Sequence, residues 1–214
     1  VRYVLFDLGG VVIRTPFEMA SDLESRRDLA EGALGLSGPF DPGHDELWQR
    51  RIAGDLSERR YWHEQAVRLT SAADSGDVDP TRRLMDDLYD APEDRVVRPA
   101  VVTLMDTLED RGLRIAALTN DLSRFHSAAW IDRMSVFGRF DPLIDLSELG
   151  TFKPDPRAYR YALEVLDVVP GSLVFVDDQR DNVVAARAAG IPTVEFDPTE
   201  VGPSIDRVFA AVEG

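Results

Sequence analysis

The apolar runs of this chain are short, and three of them stop on residues that can do chemistry. Tyr3–Phe6 is apolar and β-prone and runs into Asp7-Leu8-Gly9-Gly10, followed by Val11-Val12-Ile13. Arg114–Leu118 stops at Thr119-Asn120-Asp121, and Leu173–Val176 stops at Asp177-Asp178. Runs of this length bounded by turn residues read as buried strands. Between them lie helical patterns. Pro99 opens a helix with Val101, Leu104, Met105 and Leu108 inward and Gly112 at its end. Asp155-Pro156 caps and starts another that runs through Leu166. An Ala-rich helix follows Asp178 and ends at Gly190. Pro142–Leu146 and Pro192–Phe196 supply two further short strands. Strands alternating with helices predict an α/β protein of Rossmann-like type, a doubly wound parallel sheet with helices on both faces.

One stretch breaks the alternation. From about Thr15 to Val97 strand-like runs vanish and helical periodicity takes over. Ser57 is placed to cap a helix in which Trp62, Ala66 and Leu69 share a face, and Leu84, Met85 and Leu88 form another such face. Polar breaks at Ser37–Gly43 and Ser75–Pro80 separate these pieces. The expected organisation is an α/β core of residues 1–14 and 98–214, with residues 15–97 a small inserted helical cap.

Charge narrows the partners. Lys and Arg total 24 against 39 Asp and Glu, a formal net charge of -15. Such a surface repels nucleic-acid phosphates and anionic membranes, so neither is expected as a partner. No apolar run approaches the roughly 18–20 residues that span a bilayer. Cysteine is absent, which excludes disulfides, thiolate metal sites and a Cys nucleophile. No basic-then-apolar segment opens the sequence, so the cytoplasm is the expected compartment. A monomer or homodimer is expected. Lys153 is the single lysine among the 24 basic residues. A compact ammonium and a planar guanidinium are not interchangeable, so this position stands out by chemistry.

In open α/β sheets the carboxyl ends of the strands form the ligand crevice. Asp7, Thr119-Asn120 and Asp177-Asp178 therefore converge on one edge, with Lys153 in a loop on the same side. Each has an ordinary structural reading when taken singly. Asp7 suits a turn cap, Thr119 and Asn120 are common turn residues, and Asp177-Asp178 suits a helix start with a spare acid. Adjacent carboxylates repel, however, and a divalent cation is their usual relief. The histidines His44, His63 and His126 lack metal-ligand spacing. Gly9-Gly10 is not a dinucleotide fingerprint, because no third glycine follows at the needed spacing.

Taken in order, Val4-Leu5-Phe6-Asp7-Leu8-Gly9-Gly10-Val11, Ala117-Leu118-Thr119-Asn120, Phe152-Lys153-Pro154-Asp155-Pro156 and Val174-Phe175-Val176-Asp177-Asp178, with Asn182 and Gly190 beyond, resemble the haloacid dehalogenase superfamily of hydrolases. The resemblance covers nearly the whole chain. It is closest to the sugar-phosphate-type phosphatases and the phosphatase domain of soluble epoxide hydrolases, and the helical insert resembles the superfamily's small cap. It implies that Asp7 is a nucleophile forming an aspartyl-phosphate, and that Thr119 and Lys153 are catalytic. Gly10, Thr119, Asn120 and Lys153 would bind substrate, a small phosphorylated metabolite with sugar phosphates among the candidates. Mg²⁺ is the implied cofactor, at Asp7, the Gly9 carbonyl and Asp178, with Asp177 beside it. The cap would read the leaving group, with Phe17, Trp48, Arg51, Trp62 and His63 as candidates. For the two tryptophans cap core is the favoured reading, since large aromatics dominate helical cores, and Arg51 serves equally as surface charge.

One position departs from the pattern. Most phosphatases of this superfamily carry a second Asp two residues after the nucleophile, as proton donor and then as base; here Gly9 stands there. General acid–base help is worth about 10²–10⁴-fold. A phosphatase with good leaving groups, such as anomeric or acyl phosphates, is the preferred expectation. His63 or Glu64 of the cap are substitutes to consider for the missing acid. A 2-haloacid dehalogenase using Asp7 without metal is an alternative, since a halide needs no proton, although the Asp177-Asp178 pair argues for a metal. A catalytically weak phosphate-binding or regulatory protein is the other. The phosphonate-cleaving branch needs a cap lysine, and there is none. A phospho-receiver switch would carry its acid pair on the first strand.

Overall fold

The computed structural model describes residues 1–69 and 79–214. The strands are β1 (Tyr3–Phe6), β2 (Arg114–Thr119), β3 (Leu143–Asp145), β4 (Leu173–Asp177) and β5 (Thr193–Glu195). The helices are α1 (Pro16–Arg26), α2 (Glu46–Ile52), α3 (Glu58–Leu69), α4 (Pro80–Leu88), α5 (Glu93–Val96), α6 (Pro99–Asp110), α7 (Leu122–Phe125), α8 (Ala128–Arg133), α9 (Pro156–Leu166), α10 (Arg180–Ala188) and α11 (Val201–Glu213). No helix among the described residues is long and apolar enough to cross a membrane. The chain divides into two compact units, Val1–Arg14 with Pro92–Gly214, and Thr15–Ala91.

The first unit is a five-stranded parallel sheet in the order β3-β2-β1-β4-β5. Chain order reverses at β1, whose neighbours are β2 and β4, and this switch point is where open sheets bind ligands. Every residue of β1 and β4 is buried. Strands covered on both faces need continuous apolar runs rather than alternating ones, which is why they stand out in the sequence. Tyr3, Leu5, Leu118, Leu173 and Phe175 share a core with Ala158, Tyr159, Ala162 and Leu166 of α9 and Ala186 of α10. Helix α11 packs on β4, β5 and α6, and α6 packs on β2. The register pairs Phe6 with Ala117 and with Val176. Asp7 and Asp177 each follow that row by one residue.

The strands expected at Pro142–Leu146 and Pro192–Phe196 run over Leu143–Asp145 and Thr193–Glu195; each leading proline accepts from the neighbouring strand but cannot donate to the ladder. Helix α11 was not expected. Its Gly202 and Pro203 read as breakers, yet Pro fits a first turn where no N–H is needed. The second unit begins at Thr15, but the first resumes at Pro92, before the boundary at Arg98 drawn from sequence. The backbone explains this: Arg14 N–H donates to Val96 O at 2.8 Å, and Ile13 and Val97 form an antiparallel bridge.

The second unit is helical, with α3 packed on α2 and α4, and α1 on α4. Thr15 and Glu18 form a reciprocal capping box at the start of α1. Ser57 Oγ accepts from Arg60 N–H at 3.3 Å ahead of α3. The polar break at Ser75–Pro80 lies partly outside the described residues. Phe17, Trp48, Tyr61 and Trp62 pack ring on ring, with centroids 4.8–6.0 Å apart. Beneath them the buried Asp45 accepts from Tyr61 Oη at 2.6 Å, from Gln65 Nε2 at 3.2 Å and from Trp48 N–H at 2.9 Å. Phe17 and Trp62 are thus core of this unit, Arg51 lies over the Trp48 ring, and His63 is exposed.

Candidate active site

Asp7 follows β1, and its N–H donates to Val176 O at 2.8 Å, which extends the ladder by one residue. That bond fixes the side chain at the sheet's carboxyl edge between β2 and β4. Leu8 N–H donates to Asp7 Oδ1 at 2.7 Å. Lys153 Nζ lies 2.9 Å from the same oxygen and 2.8 Å from Asp177 Oδ2. All three side chains are buried.

The lysine is held from two directions. Asn120, just past β2, accepts from Lys153 N–H at 2.8 Å and donates Nδ2 to Lys153 O at 3.0 Å. One side-chain amide thereby matches both backbone groups of a loop residue 33 positions away. The ammonium also sits 5.3 Å from the centroid of the Phe175 ring. Asp177 is equally restrained. Its Oδ1 accepts from Gln179 N–H at 2.8 Å and from Asn182 Nδ2 at 3.0 Å, and its Oδ2 accepts from the same amide at 3.1 Å. Tyr159 Oη donates to Asn182 O at 2.8 Å, behind this network.

These environments set the charges. Burial holds the Asp7 carboxyl well above its ordinary range and Asp177 adds to this, while Lys153 and the Leu8 amide oppose them. Burial works against the Lys153 charge, but Asp177 and Asp7 outweigh it and hold the ammonium above its ordinary value.

Asp178 completes a cluster. One oxygen from each of Asp7, Asp177 and Asp178 falls within 4.8 Å of the others. Hard oxygen donors so arranged suit Mg²⁺, and the charge balance agrees. Lys153 offsets one of the three carboxylates, and a divalent ion would offset the remaining two. The glycine turn makes room for Asp178. Gly10 has φ +76, and a Cβ there would lie 2.2 Å from Asp178 Oδ2. A Cβ at Gly9 meets nothing within 4 Å. Gly10→Ala is therefore expected to displace Asp178 and destabilise the protein by about 1–3 kcal/mol, read as a lower urea midpoint, whereas Gly9→Ala stays close to the parent.

The structure thus brings together Asp7, Lys153, Asp177 and Asp178, with Gly10 against the last. Thr119 ends β2 beside them and is buried. Asn120 contacts the lysine's backbone, so its side-chain amide is already engaged. Sequence reasoning placed no role on Tyr159, and Asn182 entered only as part of a pattern. A polar residue in the first turn of the helix after an acid pair is the signal that could have assigned Asn182. Nothing local marks Tyr159, whose phenol is fully buried.

The chain is 28% identical over 200 residues to a phosphoglycolate phosphatase of Pseudomonas putida, covering 90% of this chain and 68% of that protein. It is 28% identical over 208 residues to mouse acyl-CoA dehydrogenase family member 10, covering 93% of this chain but only 18% of that protein. Among solved structures, L-2-haloacid dehalogenase from Xanthobacter autotrophicus superposes with a TM-score of 0.59 at 19% identity, over 92% of this chain and 77% of that one, and shares the fold. The family model of haloacid dehalogenase-like hydrolases matches residues 1–190, and the chain belongs to that family.

Proposed function

We infer that this hydrolase cleaves phosphomonoesters of a small metabolite through an aspartyl-phosphate on Asp7. The observation that carries the reading is the ammonium of Lys153 pinned between two buried carboxylates, 2.9 Å from Asp7 and 2.8 Å from Asp177. A cation so placed holds the attacking group and faces the charge that a phosphoryl group brings. The phosphoglycolate phosphatase relative supports the same class of substrate.

Asp7 and Asp178, with the Gly9 carbonyl, would hold Mg²⁺, beside Asp177. When bound, the ion supplies positive charge that lets an anionic ester approach a carboxylate cluster. With Oδ1 of Asp7 tied to Leu8 N–H and Lys153, Oδ2 attacks phosphorus. The P–O bond to the alcohol breaks, its electron pair leaves on the alkoxide, and an acyl phosphate remains on Asp7. The alkoxide takes its proton from solvent, since Gly9 offers none. Water then attacks the acyl phosphate, releasing inorganic phosphate and restoring the carboxylate. Thr119 and the backbone around Gly10 and Asn120 bind the phosphoryl oxygens.

Gly9 favours one competing reading, a 2-haloacid dehalogenase, because halide departs without a proton. A panel of aryl, acyl and sugar phosphates, phosphoglycolate and 2-chloropropionate, each with Mg²⁺ or EDTA, separates the two. Phosphate release that needs Mg²⁺ and falls steeply with leaving-group pKa is expected. Gly9→Asp, for which the space is open, is expected to raise turnover of alkyl phosphates by up to about 10²-fold. Reaction of the haloacid alone, indifferent to EDTA, would overturn the phosphatase reading. Phosphate binding without turnover of any ester would favour a regulatory protein.

A further inference from the structure

We propose that Arg98 is a positioning residue for the active-site turn, bracing it through the Gly10 carbonyl. This goes beyond the roles given above to Asp7, Lys153 and the acids, and its catalytic consequence rests on the phosphatase reading. Arg98 is buried, at 6% exposure. Its Nε donates to Gly10 O at 3.2 Å, and its own N–H donates to Val12 O at 2.9 Å. One residue thus holds the turn through both side chain and backbone. The neighbouring Ile13–Val97 bridge and the Arg14–Val96 bond continue the same seam.

The turn matters because of what it touches. Gly10 lies so close to Asp178 that a Cβ would reach within 2.2 Å of its carboxylate. The Gly10 carbonyl is therefore a handle by which a guanidinium sets the distance between the turn and Asp178. The turn also closes on itself, through Val12 N–H and Ile13 N–H donating to Leu8 O, each at 2.9 Å. A buried arginine supplies a side-chain donor to the Gly10 carbonyl that an apolar residue before Pro99 would not.

The test compares Arg98→Met, which keeps much of the side chain's length, with Arg98→Lys, which keeps the charge. In Arg98→Met, hydrogen exchange of the Val12 and Ile13 amides is expected to rise about tenfold relative to Val174 and Val176 of β4. Mg²⁺-dependent turnover of p-nitrophenyl phosphate is expected to fall about 10- to 100-fold, the usual loss when an outer partner of a site is removed. Arg98→Lys recovers only part of both, because its ammonium lacks the guanidinium's Nε donor to Gly10 O. An Arg98→Met protein that loses stability uniformly, with exchange raised equally in β4 and turnover unchanged, would overturn the proposal by making Arg98 merely structural. If Arg98→Met does not fold, Arg98→Lys against the parent decides by the same exchange ratio, and a turn that exchanges as in the parent counts against the proposal. Parent protein that hydrolyses no phosphate ester would instead refute the phosphatase reading, and the exchange comparison would still decide the bracing.

Discussion

Asp7→Asn is expected to remove turnover by about three orders of magnitude or more, the scale seen when a nucleophile is deleted, without loss of folding stability. The amide oxygen can still accept from Leu8 N–H, and Lys153 keeps Asp177 as its partner at 2.8 Å. Burial already works against the Asp7 charge, so a neutral group in its place relieves a cost rather than adding one. Steady-state phosphate release and a urea titration on the same preparation check both halves. Residual turnover within tenfold of the parent would move the nucleophile elsewhere.

Lys153→Met is expected to damage stability and activity together. Removing one member of a buried ion pair strands its partners, at about 3–5 kcal/mol, and here two carboxylates are stranded in contact distance of one lost ammonium. The urea midpoint should fall accordingly. Lys153→Arg keeps the charge but not the shape: a planar fork does not fit between Asp7 and Asp177 in a fully packed site. It is expected to recover part of the stability and little of the turnover. An arginine variant as active as the parent would remove the argument that this chain, otherwise arginine-only among its strong bases, keeps a lysine for chemistry.

These two residues were legible before any coordinates, and the reason is physical. A doubly covered parallel strand must be an unbroken apolar run, so a charge at its end is conspicuous; β1 and β4 advertise Asp7 and Asp177-Asp178 in this way. Lys153 was conspicuous by composition. What could not be read was who holds whom. Asn120 binds the backbone of a residue 33 positions on, and Arg98 reaches a carbonyl 88 positions back. Such pairings depend on register and crossover, which no local pattern encodes. Tyr159 was hidden because a tyrosine on an apolar helix face looks like core, and its ring is core; only the hydroxyl at its tip does something else. Helix α11 was hidden by Gly202 and Pro203, residues whose meaning depends on whether they fall in a first turn or an interior.

The position of β1 has one more consequence. It is laced along both margins, to β2 on one side and β4 on the other, and it lies in the middle of the sheet rather than at a rim. The backbone that presents Asp7 cannot peel away as an edge strand can; freeing it means parting the sheet down its centre. The placement of the Asp7 carboxylate is therefore underwritten by the cohesion of the whole first unit, and local fraying at β3 or β5 leaves it undisturbed.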